Sequence, residues 1–215
     1  MKPYTAFPQD ALSPLFIGGN LALDFVNTVR VRKGETIDMI PTIEDAERWW
    51  LKAASHHLLR DAALRFGWQQ ETFDAVIQLR ERLRALFEAA IAGKADEEGL
   101  RSLNEGLSCG SLTVGTKEGR FYSEYGGYDW AEDPLVTICL SAHELLTQRD
   151  LSRLRHCKSG QCTLLFYDTT KSATRHWCTP ECMNRARSRE NYLKSKGAEP
   201  RAPANLQASK PGLKA

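Results

Sequence analysis

The chain has 215 residues, of which 42% are hydrophobic and 26% are charged, and its formal net charge is +2. No apolar run approaches the ~18–20 residues of a membrane-spanning helix, and the N-terminus lacks the long apolar stretch of a signal peptide. We therefore expect a cytoplasmic protein that has a sizeable core and no membrane partner.

The near-neutral total conceals an uneven distribution of charge. Residues 1–150 carry 16 lysines and arginines against 23 acidic residues, whereas residues 151–196 carry 10 against 3. Such asymmetry is typical of a chain with a nucleic-acid or membrane partner. We predict a domain over residues 1–150 and a basic module over 151–196. The tail over 197–215 is rich in Ala, Pro and Lys, which predicts disorder.

The first third of the chain predicts two helices separated by a loop. The apolar spacing of segment 21–28 does not choose between helix and strand, and we favour a helix because Asn20 can cap it. Residues 30–41 are charged and end in a proline, which indicates a loop. Thr42 then begins a capping box, and apolar residues at helical spacing predict an amphipathic helix over 43–60.

The middle of the chain predicts three further helices and one hairpin. Apolar residues line one face of 70–92, and a glycine follows, as is common past a helix end. Residues 96–107 form the next predicted helix, with Leu100, Leu103 and Leu107 directed inward. Residues 111–125 alternate around Lys-Glu-Gly, which predicts a β-hairpin. A last helix runs from 134 to about 149. The predicted fold class is mainly α with a small β-hairpin, in which a helical N-terminal domain precedes a small four-cysteine zinc module.

Four cysteines form two close pairs that are fifteen residues apart, in the segments CKSGQC and CTPEC. Short cysteine-bearing turns with a connection of this length are typical of one tetrahedral zinc ion, to which each turn supplies two thiolates. Four thiolates close the coordination shell, so the expected zinc is structural rather than catalytic. The predicted ligands are Cys157, Cys162, Cys178 and Cys182.

A basic helix is predicted directly after the second cysteine pair, because no helix breaker occurs from Cys182 until Gly197. A zinc ion at the start of this helix would hold it rigidly, and its guanidinium groups could pair with phosphates or with guanine edges. We therefore predict a DNA partner, and we expect substitution of Arg185 or Arg189 to weaken DNA binding without changing zinc content. The predicted nucleic-acid contacts are Lys171, Arg175, Arg185, Arg187, Arg189 and Lys194.

This region resembles the CGNR zinc-finger family. The resemblance is carried by RLRHC (153–157), Cys162, FYD (166–168), RHWC (175–178) and CMNR (182–185). Asn184 lies in the part of the motif that follows the last cysteine, and it joins the predicted nucleic-acid contacts on that ground. The segment GGNLALDFVNT, residues 18–28, is similar to the start of the ABATE domain that usually precedes this finger. The two resemblances span roughly residues 14–195.

The resemblance implies a bacterial, stress-responsive transcription regulator whose N-terminal domain senses an effector or dimerises. We expect a homodimer, since regulators commonly read two half-sites, and a small-molecule effector. The chain departs from the family at Met183, where glycine is usual, and at His176, where a second arginine is usual. Met183 leaves open whether the family needs a tight turn at that point.

Three polar residues interrupt the apolar segment near the N-terminus. Asp24, Asn27 and Thr28 either line a ligand pocket or form a satisfied internal network. Asp168 is expected to pair with Arg175 or to order the connecting loop. The adjacent histidines at 56 and 57 are expected to point to opposite sides of a helix, which argues against a shared metal ion.

Other functions remain open from the sequence. The chain could be a redox or metal sensor, or a module that binds protein or RNA, without sequence-specific DNA binding. An enzyme is not expected, because the four cysteines leave no open zinc position and no Walker or His-Glu-x-x-His motif is present.

Overall fold

The computed structural model describes residues 16–32, 34–59, 67–108, 110–117, 120–126 and 133–196. The first element in this part is the short helix α1 (Leu21–Val26), all of whose residues are buried. The side chain of Asn20 accepts hydrogen bonds from the backbone N–H groups of Ala22 and Leu23, which stabilises the first turn. The predicted helix and its cap are therefore confirmed.

A small hairpin follows α1, in a segment that was predicted to be a loop. Strands β1 (Val29–Arg32) and β2 (Glu35–Asp38) pair antiparallel, with Val29 opposite Asp38. The prediction was wrong because the charge of Asp38 is not left to solvent. Buried Arg80 donates two hydrogen bonds to its carboxylate, at 2.8 and 2.7 Å. An internal ion pair thus orders a segment whose composition suggested exposure.

The remaining helices of the body match the predicted ones within a few residues. They are α2 (Ile43–His56), α3 (Gln70–Ile91), α4 (Glu97–Leu107) and α5 (Pro134–Gln148). The predicted hairpin is formed by β3 (Ser111–Lys117) and β4 (Arg120–Gly126), which pair antiparallel. The predicted fold class, mainly α with a small β-hairpin, is confirmed, and the pair of β1 and β2 is an additional hairpin that was not predicted.

The main core lies where α1 packs against α3 and α5. Its largest fully buried side chains include Phe25, Trp50, Phe87, Ile138 and Leu145. Leu100 was expected to point inward, but it is 41% exposed and lines a surface groove on α4. Among the described residues, no helix has the length and apolar character needed to cross a membrane.

The last part of the chain begins with two strands that pack on the helical body and ends in a helix that extends away from it. Strands β5 (Leu154–His156) and β6 (Leu165–Tyr167) pair antiparallel, and helix α6 (Pro180–Ser195) follows. Leu154 and Leu165 belong to the main core. A second, smaller cluster contains Phe166 and three cysteines, with Trp177 packed against it. The tail that was predicted to be disordered lies outside the described residues.

Candidate metal centre

The structure brings all four predicted cysteine ligands to one place. The sulfur atoms of all four ligands lie within 4.8 Å of one another, and these are Cys157, Cys162, Cys178 and Cys182. The first pair lies in the turn between β5 and β6. The second pair lies at the start of α6, where Thr179 caps the helix and Pro180 occupies its first turn. The sequence order of strand, turn, loop and helix therefore positions two ligands on each side of one point.

The sulfur positions fit a zinc ion. The sulfurs of Cys162 and Cys178 are 3.7 Å apart, and those of Cys178 and Cys182 are 3.5 Å apart. A tetrahedral zinc with bonds of ~2.3 Å to sulfur requires sulfur atoms about 3.8 Å from one another. Three of the four cysteines are buried, which suits a closed site. The centre thus accommodates one structural zinc ion, as predicted.

Three of the thiols lie close enough to perturb one another's pKa values. Hydrogen bonds from the Cys162 and Cys178 thiols lower the pKa of Cys157 to about 2. The same sharing with Cys157 raises the pKa of Cys162 to about 12 and also raises the pKa of Cys178. Proximity therefore opposes ionisation of more than one of these thiols. A divalent cation removes this opposition because it neutralises the thiolate charge.

Two hydrogen-bond donors support the sulfur cluster from outside. The backbone N–H of Cys178 donates to the sulfur of Cys157 at 3.4 Å. The guanidinium of Arg185, one turn into α6, donates to the sulfur of Cys182 at 2.9 Å. This bond to Cys182 raises the pKa of Arg185, whose guanidinium places a positive charge beside the thiolates. Groups of this kind orient metal ligands and tune their basicity.

Asp168 organises the loop that carries the chain from β6 to the second cysteine pair. Its carboxylate accepts from the backbone N–H of Thr170 at 2.9 Å and from that of Arg175 at 2.7 Å. Burial raises the pKa of Asp168, but the hydrogen bonds from Thr170 and Arg175 outweigh burial and leave the pKa lowered. This geometry fits the expected role of Asp168 in ordering the loop. Asp168 contacts Arg175 through the backbone N–H of that residue rather than through its guanidinium.

The residues predicted to contact nucleic acid fall into two groups. Arg175 is half-buried: its Nε donates to the carbonyl of Trp177, and its guanidinium lies 4.8 Å from the centre of the Phe166 ring. Arg185 bonds to Cys182, as described. The rest are exposed on α6 or on the preceding loop, and these are Lys171, Asn184, Arg187, Arg189 and Lys194.

Met183 stands where glycine is usual in the family, and its place in α6 shows whether a tight turn is needed there. Met183 lies in the first turns of α6, and its N–H donates to the carbonyl of Thr179 at 3.2 Å. Its backbone is helical, so no tight turn requires glycine here. His176, the other departure, stacks edge-on with Trp177 at 5.7 Å between ring centres. The cluster of ligand atoms contains four cysteines and neither flanking histidine, His156 or His176.

The three polar residues near the N-terminus form internal bonds. Asp24 accepts from the N–H of Gly18 at 2.7 Å, and Thr28 donates to the carbonyl of Phe25 at 2.7 Å. Asn27 pairs with the backbone of Leu165 in both directions, at 2.8 and 2.9 Å. All three side chains are buried. Their hydrogen bonds are those that an internal network would make.

These bonds reveal residues that sequence reasoning missed. Gly18 donates to Asp24 and accepts from the N–H of Tyr167 in β6 at 2.9 Å. A Cβ atom at Gly18 would lie 2.6 Å from the Cβ of Leu23, so only glycine fits there. Arg84 of α3 donates to the carbonyls of Val26 and Thr163. The helical body thus holds the zinc module at several points, and long-range contacts of this kind carry no local sequence signal.

The adjacent histidines also differ from expectation. His57 is the residue at which α2 ends, and its Nε2 lies 3.0 Å from a carboxylate oxygen of Asp24. The rings of His56 and His57 are 4.9 Å apart. The expectation that they point to opposite sides was wrong because His57 has left the helical conformation.

Two family models match the chain. The ABATE model, described as "Putative stress-induced transcription regulator", matches residues 19–149. The CGNR zinc-finger model matches residues 153–194. No curated protein matches the chain significantly.

Proposed function

Because the chain belongs to the ABATE family and carries a CGNR zinc finger, we propose that it is a transcription regulator that binds DNA through α6 of its zinc module. Both matched families are of regulator and zinc-finger type. The resemblance identified in the sequence is confirmed at the level of family. DNA binding and its regulation are the proposal, and we place the protein in the cytoplasm, where bacterial DNA is accessible.

The observation that carries this proposal is the way α6 leaves the metal centre. Cys182, in the first turn of α6, is buried among the sulfurs, whereas the side chains from Asn184 to Ser195 are exposed apart from Ala186 and Leu193. A helix that is anchored at one end and solvated along its length is stabilised by its anchor rather than by a core. Such a helix is free to enter a groove of DNA.

The charge of the module supports a polyanionic partner. Residues 151–196 have a formal balance of +7, from ten basic and three acidic residues. Arg187 and Arg189 are exposed on α6, and the guanidinium of Arg189 lies over the first cysteine turn, 3.1 Å from where a Cβ of Gly160 would stand. Lys194 is paired with Glu190 at 2.6 Å, so part of its charge is compensated on the helix. The two arginines are therefore the strongest phosphate contacts on α6.

The helical body is the part that we propose to receive a signal. A surface cavity of about 400 Å³ lies between α1, the end of α2 and α5. Polar groups from Asn20, Ser141 and Arg149 surround it. Arg149 also donates to the carbonyl of Gly19 and lies over the ring of Tyr167 in β6. A small effector in this cavity would touch the segment that holds the zinc module.

The test is a titration of the zinc-loaded full-length protein against fluorescent duplex DNA at several salt concentrations. We expect affinity to fall with salt, and the double variant Arg187→Ala/Arg189→Ala to bind more weakly with a log–log salt slope reduced by about 2. Arg101→Ala is the matched control, because Arg101 is an exposed arginine on α4. Zinc content is measured on each preparation.

Three outcomes would contradict the proposal. One is equal binding by wild type and the double variant. A second is a preference for single-stranded RNA over duplex DNA, which would indicate an RNA-binding module. A third is indifference to both nucleic acids by a protein that retains its zinc, which would favour a protein partner.

A further inference from the structure

Three ligand-type side chains outside the zinc module converge between α1 and the end of α2. Asp24 is 2% exposed on α1, His57 follows α2, and His56 is the last residue of α2. One ligand atom from each lies within 4.8 Å of the other two. Nε2 of His57 lies 3.0 Å from a carboxylate oxygen of Asp24.

The backbone explains how two adjacent histidines reach the same point. Successive side chains on a helix diverge by about 100°. His57, however, has φ −90° and ψ 8°, and Leu58 after it adopts the left-handed region with φ 53°. The chain therefore turns back at the end of α2. Leu58 is 89% exposed, so burial of its own side chain does not explain this strained conformation.

The surroundings hold the two imidazole rings in place. The ring of Phe16 stacks on that of His56, with centroids 4.6 Å apart and planes 16° apart. The same phenyl ring meets the His57 ring edge-on at 6.0 Å. The second carboxylate oxygen of Asp24 accepts from the N–H of Gly18 at 2.7 Å. A ligand carboxylate that is already hydrogen-bonded on one oxygen is typical of metal sites.

The donor set selects a class of ion. Two imidazole nitrogens and one carboxylate oxygen suit divalent zinc, cobalt, nickel or iron, whereas calcium and magnesium prefer oxygen ligands. Three protein ligands leave at least one position open. His57 also lines the 400 Å³ cavity beside α5, so the open position has access to solvent or to a small ligand.

We propose that Asp24, His56 and His57 form a second metal site, which binds an exchangeable divalent transition-metal ion. Binding would replace the hydrogen bond between His57 and Asp24, with the proton of each neutral imidazole on the nitrogen that faces away from the ion. The site differs from the four-cysteine centre in ligand type, since it contains no sulfur. It also differs in coordination, since one or more positions remain open, and in exposure, since His56 lies at the surface.

The experiment is equilibrium dialysis of the full-length protein, already holding one equivalent of zinc in its cysteine centre, against increasing zinc concentrations. Wild type is expected to take up a second equivalent. His56→Ala is expected to bind that equivalent at least tenfold more weakly while it retains the first. His143→Ala is the matched control, because His143 is an exposed histidine on α5, and it should behave as wild type. His56→Ala is the deciding variant, since an exposed side chain can be removed without disturbing folding.

Cobalt distinguishes the two centres by spectroscopy. A second equivalent taken up as cobalt should give weak visible bands without the thiolate-to-cobalt charge-transfer absorption that cysteine ligands produce. A wild-type protein that binds only one equivalent would overturn the proposal, and the bond from His57 to Asp24 would then serve only to close the end of α2. Undiminished binding of the second equivalent by His56→Ala, or a thiolate signature for that equivalent, would overturn it too.

Discussion

The guanidinium of Arg185 donates to the sulfur of Cys182 at 2.9 Å, so this residue supports the metal centre directly. We had expected its substitution to leave zinc content unchanged, and the structure requires a different expectation. Arg185→Ala removes a charge-assisted bond to a ligand, and loss of such a partner typically lowers metal affinity by about 10–100-fold. Competition against a chelator will measure this effect. Arg187→Ala, an exposed arginine on the same helix, is the control, and equal zinc affinity of the two variants would exclude the supporting role.

Asp168 is fully buried, and its carboxylate bonds to the backbone of Thr170 and Arg175. We expect Asp168→Asn to destabilise the protein by about 1–3 kcal/mol, because an amide group cannot accept on both sides. The pKa of Asp168 is lowered from 3.8. The ionised Asp168 carboxylate therefore stabilises the folded protein at neutral pH. This stabilisation is lost only as the pH falls through the pKa of Asp168 in the folded protein, which lies below 3.8. Chemical unfolding between about pH 5 and pH 8 should show a constant difference from wild type.

Asp74→Asn provides the comparison for this measurement, because Asp74 is exposed on α3. Its effect should stay within about 0.5 kcal/mol. A loss of stability in Asp168→Asn that disappears above pH 5 would contradict the assignment of a buried, ionised carboxylate.

Helix α1 links the body to strand β6 through Asn27, whose side chain mimics a strand partner for the backbone of Leu165. Asn27→Asp keeps the size of the side chain but places an oxygen against the carbonyl of Leu165. We expect this repulsion to cost about 1–3 kcal/mol and to accelerate hydrogen exchange at the Leu165 amide. Amides in the middle of α3 should keep their protection. Asn104→Asp, on the exposed face of α4, is the control, and unchanged exchange at Leu165 would show that the link is not stabilising.

At the scale of the whole molecule, the two cores predict how the protein responds to loss of zinc. The smaller core consists largely of cysteines and the residues around them, whereas Leu154 and Leu165 belong to the main core. Chelation should therefore expose the amides of both cysteine turns and of α6. Strands β5 and β6 should retain much of their protection, because the helical body still holds them. Hydrogen exchange followed by mass spectrometry will locate the change.

The same experiment can contradict this description. Protection of α6 that survives chelation would mean that another contact, rather than zinc, anchors the helix. Unfolding of α3 and α5 together with the module would mean that the main core depends on the metal.

The sequence by itself determined the elements whose signals are local. Spacing of apolar residues and capping groups located the body helices, and the two cysteine pairs located the zinc ligands, because turns and helix ends depend on neighbouring residues. Only the tertiary structure decided the rest. The ion pair of Arg80 with Asp38, the clamp of Asn27 on Leu165 and the meeting of Asp24 with two histidines each join distant segments. Their energies depend on burial and on the exact approach of buried polar groups, and neither quantity is encoded in local sequence pattern.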